Sequence, residues 1–393
     1  MFKKNIIISA LIFFALILTN CSDEPSSVGV GLVEKDLVNF ATLDSFSDST
    51  EQKTASFVKR LQLGSSQMLL IGKNFSNEAS SLIKFYISLS EKISADLDSI
   101  EILSSKIILT PYYSIGDTTK PFGFTTHRLT SDWAFATFTY DSLSKVTYES
   151  NDVGNNYKKD SVYSFDIDKN LVSAWLKNAK KEETGANYGI YLKPKTDTDF
   201  FRGFYGYSSI LSLDVQPKLN IIVKKNGSYI DTLNFYTLAD VHVVSGDDLL
   251  LPKKYIAVQS GVSVNSVFWF DISSLPADAV VNKAELILSY DSTYSMFGTS
   301  YLDGLVAYYM TDSTKLEYSS EGAVVLTKKS GTYEGNIVNI VNRMLKEKKN
   351  NGIVVSTRQP IDGLELFAIH NRESDDPVKK PRLILHYTFM KKN

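Results

Sequence analysis

The chain has 393 residues, 43% of them hydrophobic and 22% charged, the composition of a folded protein long enough for two domains with separate cores. A formal net charge of -2 and the lack of any long basic run argue against nucleic acid as a partner. With one cysteine, no internal disulfide can form, so packing must supply the stability.

The chain opens with a cationic "MFKKN", followed by the apolar run "IIISALIFFALIL" (6–18) and then "LTNC", which ends at Cys21. Such a run is shorter than the roughly 20 residues a membrane-spanning helix needs and suits the apolar region of a signal peptide. "LTNC" resembles a bacterial lipobox, with Asn20 standing where Gly, Ala or Ser is usual. The resemblance implies a lipoprotein signal peptide at 1–20, acylation of Cys21 and attachment to a membrane through that lipid; an ordinary secretory leader or signal anchor is the alternative. Residues 21–36 are small, acidic and rich in Gly, Pro and Ser, as in a flexible tether. Ser22 after the cysteine favours outer-membrane sorting, and Asp23 with Glu24 resembles the export signal of Bacteroidetes surface lipoproteins. The expectation is a lipid-anchored outer-membrane protein exposed at the cell surface.

Beyond the tether the chain begins twice. "NFATL" (39–43) returns as "NFYTL" (234–238), "IKFYIS" (83–88) as "FWFDIS" (268–273), "NYGIYL" (187–192) as "NNGIVV" (350–355), and "PKLNIIV" (217–223) as "PRLILHY" (381–387). Four pairs in one order indicate a duplicated unit. Ile83, Phe85 and Ile87 alternate with Lys84 and Tyr86, as Phe268, Phe270 and Ile272 alternate with Trp269 and Asp271; this period of two predicts half-buried strands. Leu219, Ile221 and Val223 repeat the pattern in the first closing strand, as do Leu383, Leu385 and Tyr387 in the second, and "NKAELILSY" places Ala284, Leu286, Leu288 and Tyr290 on one side. Each copy also holds one amphipathic helix, with Leu171, Val172, Trp175 and Leu176 in the first and Ile340, Val341, Met344 and Leu345 in the second. Trp175 is thereby a core residue. The boundaries read as a first domain at 37–225 and a second at 226–393, joined at "KKNGS" (224–228).

The F-x-I strand, "TSDWAFATFTY" around Trp133, "FDI" at 165–167, Trp175, Gly189 and "PKL" at 217–219, together with "FDIS", "KAELIL", Gly352 and "PRL" in the second copy, resemble the DNRLRE family of bacterial extracellular modules. The second copy lacks a counterpart of Trp133 and has Met344 where the first has Trp175. The resemblance implies an all-β protein of two tandem jelly-roll β-sandwich domains, each with one short amphipathic helix. Its modules are classed with carbohydrate-binding modules, which implies a noncatalytic protein that binds polysaccharide or glycan.

The residues themselves point to no enzyme chemistry. His127, His242, His370 and His386 show no metal spacing, and no nucleophile elbow or dinucleotide motif is present. No cofactor is implied; the acidic loops at 197–199 and 373–376 are of the type that ligates structural calcium, but neither has EF-hand spacing. Aromatic residues make up 12% of the chain, and rings stack on the apolar faces of sugars. The places where aromatic and polar residues mix nominate Tyr112, Tyr113, Arg202, Tyr205 and Tyr207 in the first copy and His370 and Arg372 in the second, with an arginine holding uronate or sulfate and a tyrosine stacking on the ring. A structural or adhesive surface protein that contacts another protein is the competing reading. A polysaccharide-active enzyme, which needs two correctly spaced carboxylates, is a more distant one.

Overall fold

A computed structural model describes residues 38–74, 77–180, 187–208, 210–246 and 251–390. The expected signal peptide at 1–20, Cys21 and the expected tether at 21–36 lie outside the described residues. Strand accounts for 49% and helix for 12%, so the protein is mostly β. The strands form two eleven-stranded antiparallel sheets, each curled over on itself in a sandwich-like arrangement. Each sheet encloses its own core.

Period-two patterning explains both cores. Ile83, Phe85, Ile107, Phe165, Leu219, Ile221 and Val223 are buried in the first, and Phe268, Phe270, Leu286, Leu288, Leu383 and Leu385 in the second. Burying an aliphatic or aromatic side chain of this kind contributes about 1.5–3 kcal/mol. The helix Lys169–Lys180 sends Leu171, Val172, Trp175 and Leu176 into the first core, and Val338–Glu347 sends Ile340, Val341 and Met344 into the second. The first unit also has a six-residue helix, Glu91–Asp96, which the expectation of one helix per copy does not include. Ser90 caps it by accepting the Ile93 N–H at 3.4 Å.

The duplication is visible in the strand pairing. In the first unit the closing strand Lys218–Lys225 lies between Ile100–Leu109 and Tyr229–Gly246; in the second, Arg382–Met390 lies between Val280–Ser289 and Val38–Asp44. Likewise Asn77–Phe85 borders Met68–Lys73, Ile190–Pro194 and Tyr229–Gly246, and Val264–Phe270 borders Tyr255–Gln259, Ile353–Thr357 and Gln52–Val58. The two schemes match, but sheet membership crosses the expected boundary at 225/226. The opening strands at 38–44 and 52–58 complete the second unit, while 229–246 completes the first. The cause is local: Gly227 at φ 70° and the Ser228 N–H donated to the Lys225 carbonyl at 3.0 Å make "KKNGS" a hairpin loop, which folds the next strand back onto Lys218–Lys225.

Register corrects the reading of the motif that first suggested the repeat. Leu43 stands opposite Leu385, whereas Phe235 stands opposite Leu219 and Leu233 opposite Ile221. Leu219 and Ile221 correspond to Leu383 and Leu385, so the structural counterpart of Leu43 is Leu233 and not Leu238. "NFATL" and "NFYTL" are therefore out of register by an odd number of residues, which turns their side chains to opposite faces. Accordingly Leu43 is buried and Phe40 exposed, whereas Phe235 is buried and Leu238 exposed.

The two units share an apolar junction. Met68, Leu70, Tyr113, Phe201 and Val244 of the first pack with Leu364 of the second, bordered by Val262 and Met296.

Candidate functional site

An open groove of about 420 Å³ runs along the first unit beside the strand Tyr229–Gly246. Its walls include Tyr86 and Tyr207, 60% and 46% exposed, with Leu238, Asn234 and Ser88. Tyr86 follows Phe85 on the outward side of its strand, and its N–H is donated to the Tyr236 carbonyl at 2.8 Å. The backbone of Tyr207 is fixed by its N–H, donated to Asp240 Oδ2 at 2.7 Å. Asn220 Nδ2 donates to Asn234 Oδ1 at 2.8 Å and holds that amide in place. Two exposed phenol rings beside amide and hydroxyl groups offer stacking faces and hydrogen bonds together. In the second unit the Asp271 N–H donated to the Glu51 carbonyl is the counterpart of the Tyr86–Tyr236 bond, so carboxylates stand where the first unit has Tyr86 and Tyr236.

Of the residues nominated from sequence, only Tyr207 lines this groove. Tyr112 and Tyr205 stack on each other, ring centroids 4.2 Å apart at 15°, which commits one face of each ring. Burial pushes the Tyr112 phenol well above its ordinary range. Tyr113 is buried at the junction, where its hydroxyl accepts the Leu364 N–H at 3.0 Å. A Cβ at Gly298 would fall 2.0 Å from the Tyr113 ring, so glycine is required there. Arg202 lies over Phe200 and Tyr163, at 5.3 and 5.8 Å, and does not meet Tyr205. His370 is buried, with Nδ1 3.0 Å from Ser374 Oγ, and burial lowers its pKa. Arg372, two residues on, is exposed and lines a different pocket, between the 45–52 and 372–382 loops. Tyr86 was missed in the nominations, although its signal was present: a tyrosine at the polar position of an alternating strand.

A buried polar cluster sits where the two units meet. Ser66 Oγ donates to Asp362 Oδ1 at 2.5 Å, and His242 Nδ1 lies 2.8 Å from the Met68 carbonyl and 3.2 Å from Ser66 Oγ. These are the residue types of a hydrolytic triad, but the order is wrong. A catalytic histidine bridges serine and aspartate, whereas here the aspartate accepts the serine O–H directly and His242 Nε2 is buried without a hydrogen-bond partner among the described residues. Burial lowers the His242 pKa and raises that of Asp240, on the same strand, to about 7. Nearby, Ser260 Oγ donates to Glu365 at 2.7 Å, and burial raises the Glu365 pKa. The cluster ties the units together.

Elsewhere, a polar cleft of about 790 Å³ holds Asp152, Asp166 and Asp168. Each is engaged locally: Asp152 accepts the Thr126 and Gly154 N–H groups, Asp166 the Asn156 amide, and Asp168 the Asn170 N–H. Asp375 in the 373–376 loop pairs with Lys254 at 3.8 Å, and Asp376 accepts the Val378 N–H. Among the described residues no three His, Cys, Asp or Glu side chains converge in a metal-ligating group. In comparisons with known proteins, no family model, curated protein or solved structure matches the chain.

Proposed function

We propose that this chain is a noncatalytic outer-membrane lipoprotein, anchored through Cys21, whose jelly-roll units of DNRLRE type bind polysaccharide or glycan at the cell surface. The reading is carried by the groove between Tyr86 and Tyr207, where exposed rings and neutral polar groups line one open channel. An open channel suits a polymer that enters and leaves along its length, and tyrosine supplies contact area at small entropic cost. The lipobox resemblance of "LTNC" and the short apolar run before it support the anchor.

Affinity gel electrophoresis of the purified full chain through neutral polysaccharides tests the reading. Tyr86→Ala and Tyr207→Ala should each weaken retardation by about three- to tenfold, the range expected for loss of one aromatic contact. Absence of retardation across neutral and acidic polysaccharides alike would remove the glycan reading. Specific capture of a protein that these two substitutions abolish, in the absence of any glycan, would replace it with the adhesive one.

A further inference from the structure

The second unit carries a different concavity, built from the two ends of the described chain. A pocket of about 340 Å³ lies between the 45–52 and 372–382 loops, and its walls include Phe46, Thr50, Gln52, Arg372, Lys380 and Arg382. No lining residue is acidic. Arg382 is held by Asp44, with Nε 2.8 Å from Oδ1, and its guanidinium lies 5.6 Å from the centre of the Phe46 ring. Neither Arg372 nor Lys380 has an ion-pair partner among the described residues. Among the acids of the two loops, Asp48 accepts the Asp44 N–H, Glu51 pairs with Lys53, Asp375 pairs with Lys254 and Asp376 accepts the Val378 N–H; none of these, nor Glu373, lines the pocket. Arg382 is neutralised by Asp44, so Arg372 and Lys380 are the two lining cations without an ion pair among the described residues. The walls of a concave site focus the field of its lining cations.

Hydrogen bonds within and between the loops hold the walls. The Asp48 N–H is donated to the Asp44 carbonyl at 2.9 Å and the Thr50 N–H to the Ser45 carbonyl at 3.2 Å, while Ser45 Oγ accepts the Leu383 N–H at 2.9 Å. Ser49 is held at φ 51°, a conformation that non-glycine residues rarely adopt. The loop also has no counterpart in the first unit, where Tyr229–Gly246 runs through the matching position as one strand.

We propose that this pocket is a second subsite, which takes the carboxylate or sulfate group of an acidic glycan, with Arg372 and Lys380 binding the anion and Phe46 flanking the sugar ring. The substrate class so assigned, an acidic polysaccharide, rests on the glycan reading above. An arginine fork matches the paired oxygens of a carboxylate or sulfate, and a half-exposed ring beside it gives the sugar an apolar face. A concave site of this volume favours one charged sugar residue over a flat membrane surface.

The test is affinity electrophoresis of the full chain through matched pairs, polygalacturonate against its methyl ester and dextran sulfate against dextran. The acidic member of a pair should bind more tightly, and the double substitution Arg372→Ala/Lys380→Ala should weaken that binding about tenfold or more while leaving neutral polymers unchanged. Lys380→Glu should erase the preference. Arg372 is exposed and Lys380 half-buried, and an unchanged thermal midpoint verifies folding. Equal binding of the paired polymers, or an acidic preference untouched by the double substitution, overturns the subsite. Tyr86→Ala then reports separately whether the groove reading stands. Binding to phosphatidylglycerol vesicles that the double substitution abolishes, with no glycan preference, overturns it in favour of a membrane surface. Saturation by inorganic sulfate with no gain from any polymer overturns it in favour of a free anion.

Discussion

Asp44 and Arg382 stand 338 positions apart in the chain and meet as a two-pronged ion pair, Nε to Oδ1 at 2.8 Å and Nη2 to Oδ2 at 2.5 Å. The pair fastens the opening strand Val38–Asp44 to the closing strand Arg382–Met390 beside the cationic pocket. Two parallel charge-assisted bonds are stronger and more directional than a single contact.

Hydrogen bonding to Arg382 holds the Asp44 carboxyl down at about 2, below the ordinary value of 3.8. A carboxylate with a depressed folded pKa adds stability that is fully present above the unfolded pKa and is lost as pH falls through the folded one. Urea midpoints measured from pH 6 to pH 2 should show wild type more stable than Asp44→Asn by about 1 kcal/mol at pH 6, after allowance for solvent screening at Arg382. The difference should shrink below about pH 4 and vanish near pH 2. A constant difference across that range would show that the pair contributes nothing through ionisation.

The register of the two pentapeptides gives two identical letters opposite fates. Leu43 is buried in the second core and faces Leu385, so Leu43→Ala should destabilise by about 2–4 kcal/mol. Leu238 stands at the same place in the motif but is 46% exposed, so Leu238→Ala should change stability by less than about 0.5 kcal/mol. Denaturant midpoints decide the matter, and equal losses would mean that the opening strand does not complete the second unit.

Acidity should act on the junction through Asp240 and His242 in opposite directions. Burial raises Asp240 to about 7, so its contribution to stability is fully present below about pH 4 and is lost as pH rises to 7. Burial lowers His242, so its contribution is present above about pH 6.5 and is lost as pH falls. Between pH 4 and 7, Asp240→Asn should gain up to a few kcal/mol on wild type as pH increases, and His242→Asn should lose the acid sensitivity below pH 6.5. A flat stability difference for Asp240→Asn over that window would show that Asp240 titrates as an ordinary surface acid.

Much of the fold was legible because a strand's alternation is a local signal. The buried faces of Ile83 and Phe85, of Phe268 and Phe270, and of both closing strands follow directly from the order of residues, as do the inward stripes of both longer helices. The hairpin was legible too: an Asn-Gly pair between two alternating runs is a turn signal, and reading it as a domain boundary obscured which sheet the next strand joins. The candidate site was less legible. Exposed Tyr207 and buried Tyr113 both stand in runs where aromatic and polar residues mix, and only the junction with the second unit distinguishes their roles.

By itself, then, the sequence determined the period-two strands, the amphipathic helices and the duplicated order of the elements, because side-chain direction along a strand or helix depends on neighbours a few residues away. Tertiary structure alone decided which strand completes which unit, which tyrosines remain exposed and that Arg372, Lys380 and Arg382 line one pocket. Hydrogen-bonded strand pairing joins residues hundreds of positions apart, and a register shift by an odd number of residues reverses every face without changing a letter.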